Sequence, residues 1–260
     1  MMICLLVSFL ASLAGSICGI GGGVVIKPVL DFLQVAPVST IGFLSSCTVL
    51  AMSCYSVGKM VVSGDAALKS RTITTLALGS VVGGVLGKQL FSELCGLLGE
   101  NAMVSGLQAA CLGVLTIGTF LYTVFKQRIK THRVTNPLVA ALIGMVLGMF
   151  SSFLGIGGGP INLIVLGYFF SQDSKTAAAS SLYIIFFSQV SSLITSVVSR
   201  TVPDFSVPTL VLMILGGILG GIAGRSICKK IAEKTVDRLF LVLNVLIIGI
   251  CIVNFCQAIL

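Results

Sequence analysis

Eight runs without a charged residue divide this chain: 1–26, 32–58, 72–87, 101–125, 134–172, 176–199, 205–224 and 239–260. All are dominated by apolar side chains. An α-helix rises 1.5 Å per residue, so crossing a ~30 Å hydrocarbon layer takes about 20 residues. Most of the runs therefore predict one membrane-crossing helix each. Run 72–87 is short, but Arg71 and Lys88 flank it and can snorkel to the interface. Run 134–172 is too long: as one helix it would extend ~58 Å.

The long run is interrupted at Gly155-Ile156-Gly157-Gly158-Gly159-Pro160. Consecutive glycines release one helix, and a proline at a first-turn position starts the next. The same interruption stands in the first run, at Gly19-Ile20-Gly21-Gly22-Gly23. Each of these runs therefore predicts two shorter helices joined by a glycine-rich turn. The two turns belong to an internal repeat. Gly19, Gly21, Gly22 and Gly23 match Gly155, Gly157, Gly158 and Gly159 at an offset of 136, as do Thr40 and Ser45 with Thr176 and Ser181. Gly79, Gly83, Gly84 and Gly87 match Gly216, Gly220, Gly221 and Gly224 at 137. An ordered set of this kind marks a duplication. The halves are 1–125 and 136–260, joined by a basic linker at 126–135.

Composition agrees with a lipid-embedded chain: 56% hydrophobic and only 9% charged over 260 residues, with no room in one soluble core for so much apolar sequence. The net charge of +8 lies in short segments between the runs, as the positive-inside bias predicts, and does not call for nucleic acid. These segments also orient the halves. Lys126, Arg128, Lys130 and Arg133 place the linker in the cytoplasm. Segment 88–100 carries Lys88, Glu93 and Glu100, whereas its counterpart 225–238 carries Arg225, Lys229, Lys230, Lys234 and Arg238 against Glu233 and Asp237. The other pair is opposite: Lys59, Lys69 and Arg71 face Arg200 alone. That exchange predicts inverted halves. Each then has five helical elements, each glycine turn is a hairpin, and 24–34 and 160–171 are short and partly re-entrant. The rival count, eight crossings with each break inside one of them, gives parallel halves and fits the charges less well. The expected fold is all-α and membrane-embedded, with eight spanning helices.

The paired turns carry the clearest chemistry. Lipid tolerates irregular backbone only where protein buries it or a polar cavity borders it. Helices starting near Val24 and Pro160 present unpaired amides and a positive dipole end, and glycine lets a ligand approach closely. An anion suits such a place, and duplicated helix breaks at mid-depth point to a transporter site. The candidate substrate-binding residues are Gly21, Gly22, Gly23, Gly157, Gly158, Gly159 and Pro160, with Ser45 and Ser181 as repeat-matched hydroxyls. Asn162 sits in the first turn of the second short helix, and Lys27 one turn past the first break. Lys27 either holds an anion or snorkels to the interface. The turns are not nucleotide loops: no G-x-x-x-x-G-K-[ST] is present and no strand precedes either one. Gly79-x-x-x-Gly83-x-x-x-Gly87 and its repeat mate lay glycines along one helix face, a close-packing seam. The nine cysteines form no C-x-x-C and read as packing residues. His132 lies in the linker, and no acidic residue falls well inside a predicted span, so no protease or metal site can be assembled.

Paired GIGGG turns, each followed by an apolar helix in a basic chain of this length, resemble the TauE/SafE sulfite-exporter family of membrane permeases. STIGFLSS at Thr40 and KTAAASS at Thr176 are similar to that family's small-polar helix after the break. The likeness covers essentially the whole chain and departs from the family's pattern at Lys27, where an apolar residue is usual. It implies transport of small sulfur-containing anions such as sulfite, thiosulfate or sulfonates across a bacterial inner membrane. The expected partners are that anion and the lipid bilayer, with no cofactor and no nucleic acid. Two other classes fit the same residues: an anion channel, and a thiol-dependent membrane enzyme using Cys18 or Cys47. Direction, coupling ion and oligomeric state are not written in the sequence.

Overall fold

The computed structural model describes residues 2–64, 70–98 and 102–259. Lys69 and Glu100, used above to orient the halves, lie outside the described residues. Ten α-helices and one short 3-10 turn account for almost all of the described chain, and no strand occurs among these residues. The helices are α1 (Met2–Cys18), α2 (Gly23–Phe32), α3 (Val38–Val62), α4 (Arg71–Leu98), α5 (Ala102–Phe125), α6 (Pro137–Phe153), α7 (Pro160–Phe170), α8 (Ser174–Val198), α9 (Val207–Lys230) and α10 (Glu233–Ile259). Among the described residues five precede the linker and five follow it. Six of them, α3, α4, α5, α8, α9 and α10, are long and apolar enough to cross a membrane. Helices α1 and α6 have 17 residues each, about 25 Å, while α2 and α7 have 10 and 11, about half a bilayer.

Both interrupted runs end their first helix in the same way. The Ile20 amide donates to the Gly15 carbonyl at 3.0 Å, and the Ile156 amide to the Ser151 carbonyl at 3.3 Å. These bonds close a left-handed cap whose pivots, Gly19 and Gly155, have φ of 75° and 63°. A side chain there would be strained. At the other end, Pro160 occupies the first turn of α7, where its missing amide costs nothing. Helix α8 is capped by Asp173, whose carboxylate accepts from the Thr176 amide at 3.1 Å. Burial raises that carboxyl's pKa, but bonds from the Thr176 hydroxyl and nearby amides outweigh it and hold the pKa below the ordinary range.

The two halves do not form separate cores. Helix α4 packs against α6 and α8, and α9 packs against α1 and α3, so each half's fourth helix lies on the other half. Glycine sets the spacing. A Cβ on Gly79, Gly83 or Gly87 would lie 2.0, 1.9 or 2.2 Å from the carbonyl oxygens of Ala141, Met145 or Met149. On Gly216, Gly220 or Gly224 it would lie 2.8, 2.3 or 2.4 Å from those of Leu5, Phe9 or Leu13. The contacted residues are themselves repeat mates. The predicted seams are therefore close backbone contacts between helices of different halves.

The distribution of polarity is the reverse of that in a soluble bundle. Helices α3 and α8 stand at the centre, and their buried faces are rich in hydroxyls: Ser45, Ser46, Thr48, Ser53 and Ser56 on one, Ser180, Ser181, Ser188, Ser191 and Ser192 on the other. The outer helices expose apolar stripes, such as Leu78, Val82, Leu86 and Leu90 on α4 or Val242, Val245 and Leu246 on α10. Only an apolar surrounding makes such stripes favourable.

Candidate functional site

The two glycine turns meet. A Cβ placed on Gly23 would lie 2.1 Å from the Ile156 carbonyl oxygen, and one on Gly21 would lie 3.5 Å from that of Gly157. The turns that lead into α2 and α7 are thus in contact. Each turn also docks on the central helix of the other half: Gly19 against Ala178 of α8, Gly155 against Gly42 of α3. Ala178 and Gly42 are repeat mates, so the pair of contacts obeys a pseudo-twofold relation.

Three of the predicted glycines need their freedom outright: Gly21, Gly157 and Gly158 have φ of 76°, 72° and 127°. Gly159 does not, since its φ of −157° is extended. No backbone hydrogen bond among the described residues uses the amide of Gly21, Gly22, Gly23, Gly157 or Gly158. Around these amides lie polar atoms that also lack partners among the described residues: the hydroxyls of Ser12 and Ser45, and the Asn162 Oδ1. Ser12 and Ser45 stand directly against Gly22 and Gly23. Ser181 is engaged, accepting from the Asn162 Nδ2 at 3.2 Å. All are buried. Native proteins pair most such buried groups.

Two side chains that the sequence reading did not single out cover the turns. Val49 of α3 presses on Gly157, whose Cβ would meet its Cγ1 at 2.5 Å, and Ile185 of α8 presses on Gly158 at 2.3 Å. Their signal was available: they are repeat mates at the offset of 136.

One of the two expectations for Lys27 fails. It does not snorkel: 3% of it is exposed. Its ammonium donates to Asp31 Oδ2 at 2.9 Å and to Gln108 Oε1 at 2.8 Å. Gln108, from α5, in turn donates from Nε2 to the Phe153 carbonyl at 2.6 Å, tying the pair to the end of α6. Asp31 and Gln108 were both missed. The i,i+4 spacing of Lys27 and Asp31 was the sign of the first. Gly42 and Gly155 leave room for the lysine stem, whose Cε would lie 3.7 and 3.4 Å from a Cβ at those positions.

On the linker side, Lys126 pairs with Asp237, and Ser174 donates to Asp237 Oδ1 at 2.7 Å, tying the starts of α8 and α10 to the end of α5. His132 lies edge-on to Tyr168, its amide donating to the Tyr168 carbonyl at 2.7 Å.

Residues 4–250 match the family described as "Sulfite exporter TauE/SafE". The chain belongs to that family. As a TauE/SafE protein it is a multi-pass membrane protein. It is similar to a "Probable membrane transporter protein" of Haemophilus influenzae, 31% identical over 163 residues that span 61% of this chain and 59% of that protein. No solved structure matches the chain.

Proposed function

We propose that this TauE/SafE protein carries a small, sulfur-containing oxyanion across the cell membrane by alternating access, holding it where the starts of α2 and α7 converge. One observation carries the reading: two buried glycine turns touch, their amides enter no backbone hydrogen bond among the described residues, and the unpartnered hydroxyls of Ser12 and Ser45 stand against them. Oxyanions accept from such donors, and the paired helix dipoles add a fixed positive potential. The ligands in this reading are the backbone amides of Gly21 to Gly23 and of Gly157 to Gly159, with Pro160 fixing the start of α7. Ser45, Ser181 and Asn162 supply side-chain contacts. Val49 and Ile185 cover the site until substrate displaces them. Lys27 contributes its field from behind the ion pair with Asp31.

The halves are inverted in this reading, and α1 and α6 join the six long helices as spans, making eight. Supporting inversion, the start of α3 at Ser39 and the end of α8 at Ser196 border one cavity, although the two helices are repeat mates. Alternating access then follows from exchanging the conformations of the two halves.

The test is a thermal-shift screen of the purified protein against sulfite, thiosulfate, sulfate, sulfonates and carboxylates, followed by counterflow in proteoliposomes. A bound anion at a hundred times its Kd stabilises by about 2.7 kcal/mol. Absence of both a shift and counterflow for every sulfur oxyanion would end the proposal.

A further inference from the structure

The cavities of this chain come in pairs that the repeat relates. One of about 130 Å³ between α8 and α9 is lined by Ser16, Lys175, Ala178, Leu182, Arg225 and Cys228. Their mates at the repeat offset are Ser152, Ser39, Gly42, Ser46, Lys88 and Phe91, and all six line a second cavity of only about 10 Å³. The other pair behaves alike. Cys18, Leu163, Ile164 and Gly167 border about 250 Å³, while Leu154, Lys27, Pro28 and Asp31 border about 10 Å³.

The members of each pair lie at opposite ends of the bundle. Helix α8 lines the first pair with Lys175 and with Ser196, roughly 32 Å apart along its axis. Helix α10 lines the second with Glu233 and with Asn254, again roughly 32 Å apart. The roomy cavities share the linker end, where Lys126 and Thr131 border the larger. At the other end both are collapsed, and Lys27 lines the two of them. Duplicated walls enclosing unequal volumes mean that one end is open and the other shut. The bonds of Lys27 with Asp31 and Gln108 lie on the shut side, where the open side has Leu163 and Gly167 at the places of Lys27 and Asp31.

Charge separates the two open cavities. The larger carries Asp173, Glu233 and Asp237 against Lys126. The smaller carries Lys175, Arg225 and Lys229 with no carboxylate in its wall. It also reaches Ser16 and Ala178, and Ala178 touches the first glycine turn at Gly19. Focused positive potential in a cleft concentrates anions there.

We propose that the basic cavity between α8 and α9 is the anion's entrance on the linker side. Its collapsed mate beside Lys88 is the exit, which Lys27, clasped by Asp31 and Gln108, holds shut in this conformation. The proposal rests on the anion-carrier reading above. In it the protein is poised to load from the linker side, and release requires the Lys27 clasp to open.

Two positions report on the two cavities: native Cys228 in the open one and its mate Phe91 in the shut one. Each is retained or introduced (Phe91→Cys) as the single cysteine of otherwise Cys→Ser protein. The intact folded protein is then treated with an impermeant methanethiosulfonate bearing a sulfonate, or with its quaternary-ammonium counterpart, and labelling is read by mass. Cys228 should label at least about tenfold faster than the cysteine at 91, with the anionic reagent favoured and that preference lost in Lys175→Gln/Lys229→Gln. Asp31→Asn should raise labelling at 91 and lower it at Cys228. Equal rates at the two positions, no charge preference at Cys228, or no response to Asp31→Asn would overturn the proposal. Anion counterflow by the wild-type protein, measured separately, decides the carrier reading. Counterflow with symmetric labelling sinks only the entrance and clasp, whereas its absence sinks the carrier itself.

Discussion

The surroundings of the two glycine turns differ more than the turns do. Both are closed by the same cap, both dock on the central helix of the other half, and both are covered by a β-branched side chain. Beside the first, α2 carries Lys27 and Asp31, and Gln108 completes a buried polar cluster. Beside the second, α7 carries Leu163 and Gly167 at the same places, with no charge between them. Duplication supplied two equal frames. What distinguishes them is one charged pair, and the collapsed cavities lie on that pair's side.

The comparison is broken most severely at Lys27. Replacing it by Met leaves Asp31 buried without its counter-ion and should destabilise by about 3–5 kcal/mol. Lys27→Leu with Asp31→Ala, which brings α2 close to the character of α7, should recover most of that loss. Melting of the purified protein in detergent checks both, and a double variant no more stable than the single would refute a compensating pair. Next come the turns. Gly23→Ala drives a Cβ into the Ile156 carbonyl and should cost about 1–3 kcal/mol and abolish transport. Its mate Gly159→Ala finds nothing closer than Ile156 Cδ1 at 3.5 Å and should be nearly silent. Counterflow rates of the two variants, side by side, decide this. The hydroxyls sharpen the contrast more gently. Ser181→Ala strands the Asn162 amide, at about 1–2 kcal/mol. Ser45→Ala breaks no bond and should leave stability within about 0.5 kcal/mol while weakening anion affinity in thermal-shift titrations.

A further contrast lies at the starts of α3 and α8, where Pro37 and Asp173 are repeat mates. Asp173→Ala removes a side-chain cap that α3 never had and should cost about 1 kcal/mol. Because the folded carboxyl has a lowered pKa, its contribution is complete above the ordinary carboxylate range and is lost as pH falls through the folded value. Melting curves of wild type and Asp173→Ala should therefore converge in acid.

Much of the architecture was legible because it follows from strong, local signals. Charge-free runs of crossing length returned as helices, and GIGGG returned twice as a break between two of them. The pairing of Lys27 with Asp31 was readable from an i,i+4 spacing but was passed over, because Asp31 sits between two charge-free runs. Gln108 was hidden for a different reason. Its partners come from α2 and α6, which are distant in sequence, and a single amide in an apolar helix has no periodicity to announce it. Val49 and Ile185 look like ordinary core residues until the offset of 136 aligns them. Which helices the glycine seams touch was unreadable, since a small-residue stripe fixes how close a neighbour comes and not which neighbour it is.

The crossed placement of the fourth helices bears on biogenesis. Helix α4 leaves the ribosome before α6 and α8, the helices it rests on, have been made. The first half must therefore wait in the bilayer with its glycine stripe facing lipid and its serines unshielded, while the linker and the next two hundred ångströms of chain are still being synthesised. Cooperative assembly then comes late, when the second half threads its helices into places held open by the first. A truncated product ending in the linker should be a substrate for membrane quality control rather than half a carrier.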